Sequence, residues 1–161
     1  MKKKQILSAI VAALIVIPST LRAAPGMDYP TSGTVTKTWN SHSIYDRGLD
    51  IAGNLGYWVQ ASHAGTVDAV KLWTTSYGKH VIMRHPASYN TLYAHNSSVA
   101  VSAGQYLTRG QKLAEQGSTG NSTGVHCHFE IRRYGNFVYI PGSVGQWINR
   151  GALIPYSYPG F

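Results

Sequence analysis

Short runs of β-forming residues, each cut off by glycine before it can lengthen, constrain this chain more than any other feature of its sequence. Such runs occupy 57–61, 65–73, 80–84, 89–95, 112–116, 125–133 and 137–140. Turn-forming residues bound each of them, the pattern expected of strands. Helical periodicity is missing beyond the first two dozen residues, apart from a short turn over 144–149. The fold class predicted is therefore all-β and mostly antiparallel. The tail over 151–161 carries Pro155, Pro159 and several aromatics, and reads as irregular coil packed on the rest.

A length of 161 residues suits one compact domain. Residues 1–23 read as a signal peptide. Lys2, Lys3 and Lys4 make a charged start, Ile6 to Ile17 is an apolar run too short for a typical membrane span, Pro18 and Ser19 break it, and Ala23 suits cleavage. The expectation is export, to the periplasm or beyond the cell, with no stable membrane anchor once the signal is removed. Residues 24–45 follow as a lead-in with one short strand, 46–140 as the main domain, and 141–161 as the tail. Loss of Lys2, Lys3, Lys4 and Arg22 takes four positive charges from the formal +8 and leaves +4. That mildly basic balance fits a partner rich in phosphate or carboxylate, such as a cell wall. Beyond the charged start there is no basic run and no nucleic-acid-binding motif, so nucleic acid is not expected as a partner. The single Cys127 cannot form an internal disulfide, so stability has to come from the core, a metal, or both.

The run 125–133 contains His126-Cys127-His128-Phe129-Glu130-Ile131. Alternate residues of a strand share a face, so His126, His128 and Glu130 point one way and Cys127, Phe129 and Ile131 the other. The second set is apolar and suits a core. The first adjoins a glycine-rich lead, Gly117 to Gly124. A His-x-His pair alone describes many ordinary surface strands. His95 closes another predicted strand, however, and Asp50 precedes a third. Imidazole and carboxylate are the usual ligands of catalytic zinc, which takes three protein groups and keeps one position open.

These residues stand in the order found in one family. Arg47-Gly48-Leu49-Asp50-Ile51-Ala52, Ala64-Gly65-Thr66-Val67, Tyr77-Gly78-Lys79-His80-Val81-Ile82, Thr91-Leu92-Tyr93-Ala94-His95, and the block from Gly117 to Glu130 together resemble the zinc endopeptidases of the lysostaphin and LytM type. The last block is the most specific. The resemblance implies a two-sheet antiparallel fold, the duplicated hybrid motif, with a groove over the larger sheet and Zn²⁺ at its floor. It implies peptidoglycan as partner and hydrolysis of the wall's peptide cross-links as activity. By position, Asp50 and His128 match metal ligands, His126 the general base, and His95 a group that holds the oxyanion. An imidazole near neutral pKa can take the proton of a metal-activated water and pass it to the leaving amine.

The chain departs from the family at one ligand. Where the family has histidine four residues before the metal-binding aspartate, this sequence has Asp46. Asp46 can itself be the ligand, since aspartate binds zinc and an even spacing along an extended segment puts it on the side of Asp50. His42 can reach in instead, as in the β-lytic branch, which spaces its first histidine more widely. Alternatively the site is weakened, as in relatives that bind wall or activate other wall hydrolases without cutting. A site with two carboxylates and one imidazole would be less positive, would acidify water less, and would shift activity toward alkaline pH.

Other chemistry-bearing residues have plainer readings. His63, His80 and His85 match no position of the site. Cys127 falls on the core face and reads as an inert buried thiol. Tyr45, Tyr57, Trp58, Trp73 and Tyr77 suit either ordinary sheet packing or a groove for sugar and peptide.

Overall fold

The computed structural model describes residues 26–155. The signal peptide expected over 1–23 and the end of the tail, 156–161, lie outside the described residues. The described residues form twelve strands: β1 (Gly33–Lys37), β2 (Leu49–Ala52), β3 (Trp58–Gln60), β4 (Gly65–Lys71), β5 (His80–Arg84), β6 (Tyr89–Ala94), β7 (Ser98–Val99), β8 (Tyr106–Leu107), β9 (Lys112–Glu115), β10 (His126–Arg133), β11 (Asn136–Phe137) and β12 (Trp147–Ile148). The larger sheet runs β12-β1-β2-β10-β6-β5-β4-β8, with β11 paired to β10. A second sheet runs β3-β9-β7. All pairings between these strands are antiparallel. The chain is thus all-β in two antiparallel sheets, as its glycine-broken runs predict.

Strand register explains why one face of the larger sheet is core and the other is not. Val81, Tyr93, Phe129 and Leu49 lie directly opposite one another along β5, β6, β10 and β2, and all four are completely buried. Val35, Ile51 and Cys127 form a second such row. Val59, Leu113 and Ala114 of the second sheet belong to the same apolar cluster. One residue along each strand the side chains turn to the opposite face. There Lys37, Asp50, His128 and Ala94 form a row across β1, β2, β10 and β6.

The structure corrects several boundaries. Asp50 lies inside β2, a strand the sequence placed only after it. The run 65–73 ends as a strand at Lys71, and 137–140 gives way to the two-residue β11. The tail is not purely irregular, and 144–149 makes no helical turn: Trp147 pairs with Thr34 and Ile148 with Gly33, so β12 closes one edge of the larger sheet. Ile148 and Ile154 are buried in the core. The lead-in is equally part of the sheet through β1. Two-residue strands are too short for an alternating pattern to show, which is why β7, β8, β11 and β12 escape a reading by periodicity.

Candidate metal centre

Three neighbouring strand ends and one loop assemble the site. β2 supplies Asp50, β10 supplies His126 and His128, and His95 follows β6. Asp50 and His128 are cross-strand partners, so the sheet register alone brings them into contact. His42 arrives from the segment after β1, where a single 3-10 turn at Trp39–Ser41 redirects the chain. Gly48 lets that loop return against β10: a Cβ there would meet the Phe129 carbonyl oxygen at 2.6 Å and the His128 ring at 2.8 Å. His95 holds a left-handed backbone conformation, with φ of 61°. For a non-glycine residue such a conformation is uncommon and is characteristic of functional sites.

His42, Asp50 and His128 each present a ligand atom, and these atoms all lie within 4.8 Å of one another. Asp50 Oδ1 is 2.7 Å from His128 Nδ1 and 3.3 Å from His42 Nε2. His126 Nε2 is 3.8 Å from Asp50 Oδ2. The His95 and His126 rings are 4.6 Å apart between centroids. Asp46 does not belong to the group of three. Its Oδ2 is 3.9 Å from His42 Nδ1, its carboxylate accepts a hydrogen bond from Ser43 Oγ, and its side chain is 42 % exposed. All six residues line one groove of about 260 Å³, with Lys37, Tyr77 and Ser122 on its walls.

Hydrogen bonding fixes the ring states. The His126 Nδ1 lies 2.9 Å from the Gly124 carbonyl oxygen, which can only accept. That proton placement leaves a lone pair on Nε2. His95 Nδ1 likewise donates to the Thr119 carbonyl at 2.8 Å. Burial, with the neighbouring His126 and His128, holds the His95 imidazole down at about 4, so at neutral pH its Nε2 accepts rather than donates.

Glu130, whose placement on the histidine face was legible but whose role was not, lies fully buried behind His128. Its Oε1 is 3.1 Å from His128 Nε2 and accepts the Tyr77 hydroxyl at 2.6 Å; its Oε2 accepts Arg132 Nε at 2.7 Å. Burial and the Glu130 carboxylate push the Tyr77 hydroxyl above the usual phenol range. The i+2 spacing of His128, Glu130 and Arg132 on one strand face was the available signal.

With Nε2 of His128 donating to Glu130, Nδ1 would be an acceptor facing the Asp50 carboxylate at 2.7 Å. At that distance the contact is a hydrogen bond when Nδ1 carries a proton, and without that proton Nδ1 offers a lone pair beside the carboxylate. Burial pushes the His128 imidazole down, but its bonds to Asp50 and Glu130 raise it to about 9. Burial also works against the charged Asp50 carboxyl, yet His128 and His42 hold it below the usual carboxylate range. The same carboxylates that favour a proton here are negative charges of the sign a divalent ion needs. The buried His42 Nδ1 makes no hydrogen bond, and Nε2 meets only the Asp50 carboxylate at 3.3 Å, an expense in an ordinary core. Two imidazoles and one carboxylate also form a donor set suited to zinc. On these observations the residues fit a metal ion.

A model of peptidase family M23 matches residues 44–140. The lipoprotein NlpD/LppB homolog of Pseudomonas aeruginosa is 41% identical over 123 residues, 74% of this chain and 41% of that protein. The murein hydrolase activator NlpD of Escherichia coli is 37% identical over 117 residues, 70% of this chain and 31% of that protein. The chain thus spans less than half the length of these curated relatives. Among solved structures, a zinc containing peptidase from Vibrio cholerae superimposes with a TM-score of 0.64 at 30% identity, covering 71% of this chain and 39% of that one. Lysostaphin from Staphylococcus simulans shares the fold, with a TM-score of 0.57 at 23% identity over 64% of this chain and 45% of that one.

Proposed function

The chain belongs to peptidase family M23, and from that premise we propose that it is a zinc-dependent endopeptidase of the cell envelope that hydrolyses peptide cross-links of peptidoglycan. The observation that carries this reading is the convergence of His42, Asp50 and His128 within 4.8 Å, flanked by His126 and His95 in one groove. His42, Asp50 and His128 would hold the ion, and Asp46 would stay outside the ligand set. Two imidazoles and one carboxylate then replace the two-carboxylate alternative, and with it goes the alkaline shift that alternative implied.

When bound, the ion supplies a Lewis acid that polarises the scissile carbonyl and lowers the pKa of water. His126 is the general base: its Nδ1 proton is committed to Gly124, so Nε2 accepts the water's proton and hands it to the leaving amine. His95, neutral and with its Nδ1 proton committed to Thr119, orients a donor, either the attacking water or a substrate N–H. An oxyanion contact, the role the resemblance assigns it, would require a second proton on that ring. Glu130, braced by Tyr77 and Arg132, holds His128 in orientation, as carboxylates behind metal-binding histidines do.

A second reading has its own support. Curated relatives carry the name murein hydrolase activator, and a non-cutting activator would use the same groove as a binding surface. Purified sacculi separate the two. The enzyme releases new peptide termini from sacculi by itself, and releases none after His126→Ala. An activator releases none alone and stimulates an added hydrolase with or without His126.

A further inference from the structure

The catalytic face of the larger sheet does not stop at the metal site. In the row next to Asp50 and His128, His126 lies opposite Ala52, Ala52 opposite Thr34, and Thr34 opposite Trp147. Directly paired residues of antiparallel strands project from the same face. Trp147 therefore stands on the face that carries His126, three strands away, or about 14 Å at the usual strand spacing. There it lines a cleft of about 330 Å³ with Thr31, Ser32, Tyr57, Trp58 and Arg150. Backbone bonds also tie this cleft to the site: Gln116 donates to the Tyr57 carbonyl at 2.8 Å, and His126 donates to the Gly117 carbonyl at 3.0 Å.

The cleft is aromatic, cationic and held in place. Trp147 is 57 % exposed and Trp58 42 %. The Trp147 indole N–H donates to Asn149 Oδ1 at 3.1 Å, which fixes the ring plane. The Arg150 guanidinium lies 4.7 Å from the centre of the Trp58 ring, and Lys112 Nζ lies 5.7 Å from it. Stacking of this kind orders a guanidinium and leaves its N–H groups available for oxygen acceptors.

We propose that this cleft is a distal subsite for the glycan strand of peptidoglycan, with the C–H face of an N-acetylated pyranose lying on Trp147 and Arg150 donating to its acetamido or hydroxyl oxygens. The proposal rests on the peptidoglycan reading above. A peptide would gain little from a fixed, half-exposed tryptophan beside a cation, whereas a pyranose offers an apolar face and a polar rim at once. The spacing agrees: about 14 Å is the reach of roughly four extended residues, enough for a peptide stem to run from the sugar to the metal. The cleft would hold the polymer during cleavage.

The experiment measures binding of the N-acetylglucosamine tetramer by calorimetry, and cleavage of both sacculi and a sugar-free cross-linked peptide, for wild type, Trp147→Ala, Trp147→Tyr and Arg150→Ala. The expected result is about tenfold weaker tetrasaccharide binding and a raised KM on sacculi for Trp147→Ala, a smaller effect for Arg150→Ala, and near-recovery in Trp147→Tyr. Losses should be confined to substrates that carry sugar. Absence of tetrasaccharide binding by wild type would overturn the proposal, as would binding unchanged in Trp147→Ala and Arg150→Ala. Equal loss on the sugar-free peptide would assign the cleft to peptide and overturn it too. Trp147-dependent binding of the tetramer without cleavage of either substrate would uphold the subsite while removing the enzymatic reading.

Discussion

Chemistry separates the histidines around Asp50 from His85 more clearly than sequence does. Around Asp50, nitrogens of His42, His126 and His128 lie 3.3, 3.8 and 2.7 Å from one carboxylate, with the His95 ring beside those of His126 and His128. At Ala64 and Thr91, His85 is just as buried but fully satisfied: Nδ1 donates to the Ala64 carbonyl at 3.1 Å and Nε2 is 2.7 Å from Thr91 Oγ1. Thr91 in turn bonds the Tyr93 hydroxyl, which accepts the Ser62 N–H. The fold satisfies both nitrogens of His85 away from any carboxylate, whereas the site histidines converge on Asp50. A buried histidine is a candidate ligand when it converges with other imidazoles on a carboxylate, not merely when it is buried.

Substitutions should separate the two, site changes costing metal and rate while His85 changes cost stability. The largest effect is expected for His128→Ala, which should abolish both zinc binding and hydrolysis; retention of stoichiometric zinc would break the comparison. His126→Ala should keep zinc and slow hydrolysis roughly 10²- to 10⁴-fold, the scale of a lost general base, as read from single-turnover cleavage of a cross-linked peptide. His85→Gln should leave zinc content unchanged and cost about 1–3 kcal/mol by denaturant melts, because it disturbs two buried hydrogen bonds.

The same residue carries a pH signature. Burial pushes the His85 imidazole down to about 4, against about 6.5 when unfolded, so the unfolded chain binds more protons between those values. Its contribution to stability is complete above pH 6.5 and is lost as pH falls through about 4. It amounts to roughly 3 kcal/mol at most. Melts of the metal-free protein between pH 7 and 4 should therefore be flatter for His85→Gln than for wild type; parallel curves would remove His85 as the cause. The smallest effect is expected for Tyr77→Phe. Losing its bond to Glu130 should weaken zinc about tenfold or less by competition with a chelator, in line with groups that orient ligands indirectly.

The legible parts of the fold were those written in strand alternation. Cys127, Phe129 and Ile131 are buried on one face of β10, and His126, His128 and Glu130 share the other, as period-two spacing requires. The row joining Asp50 to His128 was not legible, because register between distant strands is a tertiary property. The position of His42 was open for a related reason. Spacing along the chain treated 42 and 46 as alternatives, while the 3-10 turn at Trp39–Ser41 and the close approach at Gly48 set which side chain reaches Asp50. β12 was hidden by its two-residue length, and with it the alignment of Trp147 with His126.

The central claim is that His42, Asp50 and His128 hold one metal ion and Asp46 does not. Elemental analysis of the purified protein, for wild type, His42→Ala and Asp46→Ala in parallel, tests it most directly. The account predicts close to one zinc per chain in wild type and Asp46→Ala, and none in His42→Ala. Zinc lost with Asp46→Ala but retained in His42→Ala, or no zinc in the wild type after zinc is supplied, would contradict it.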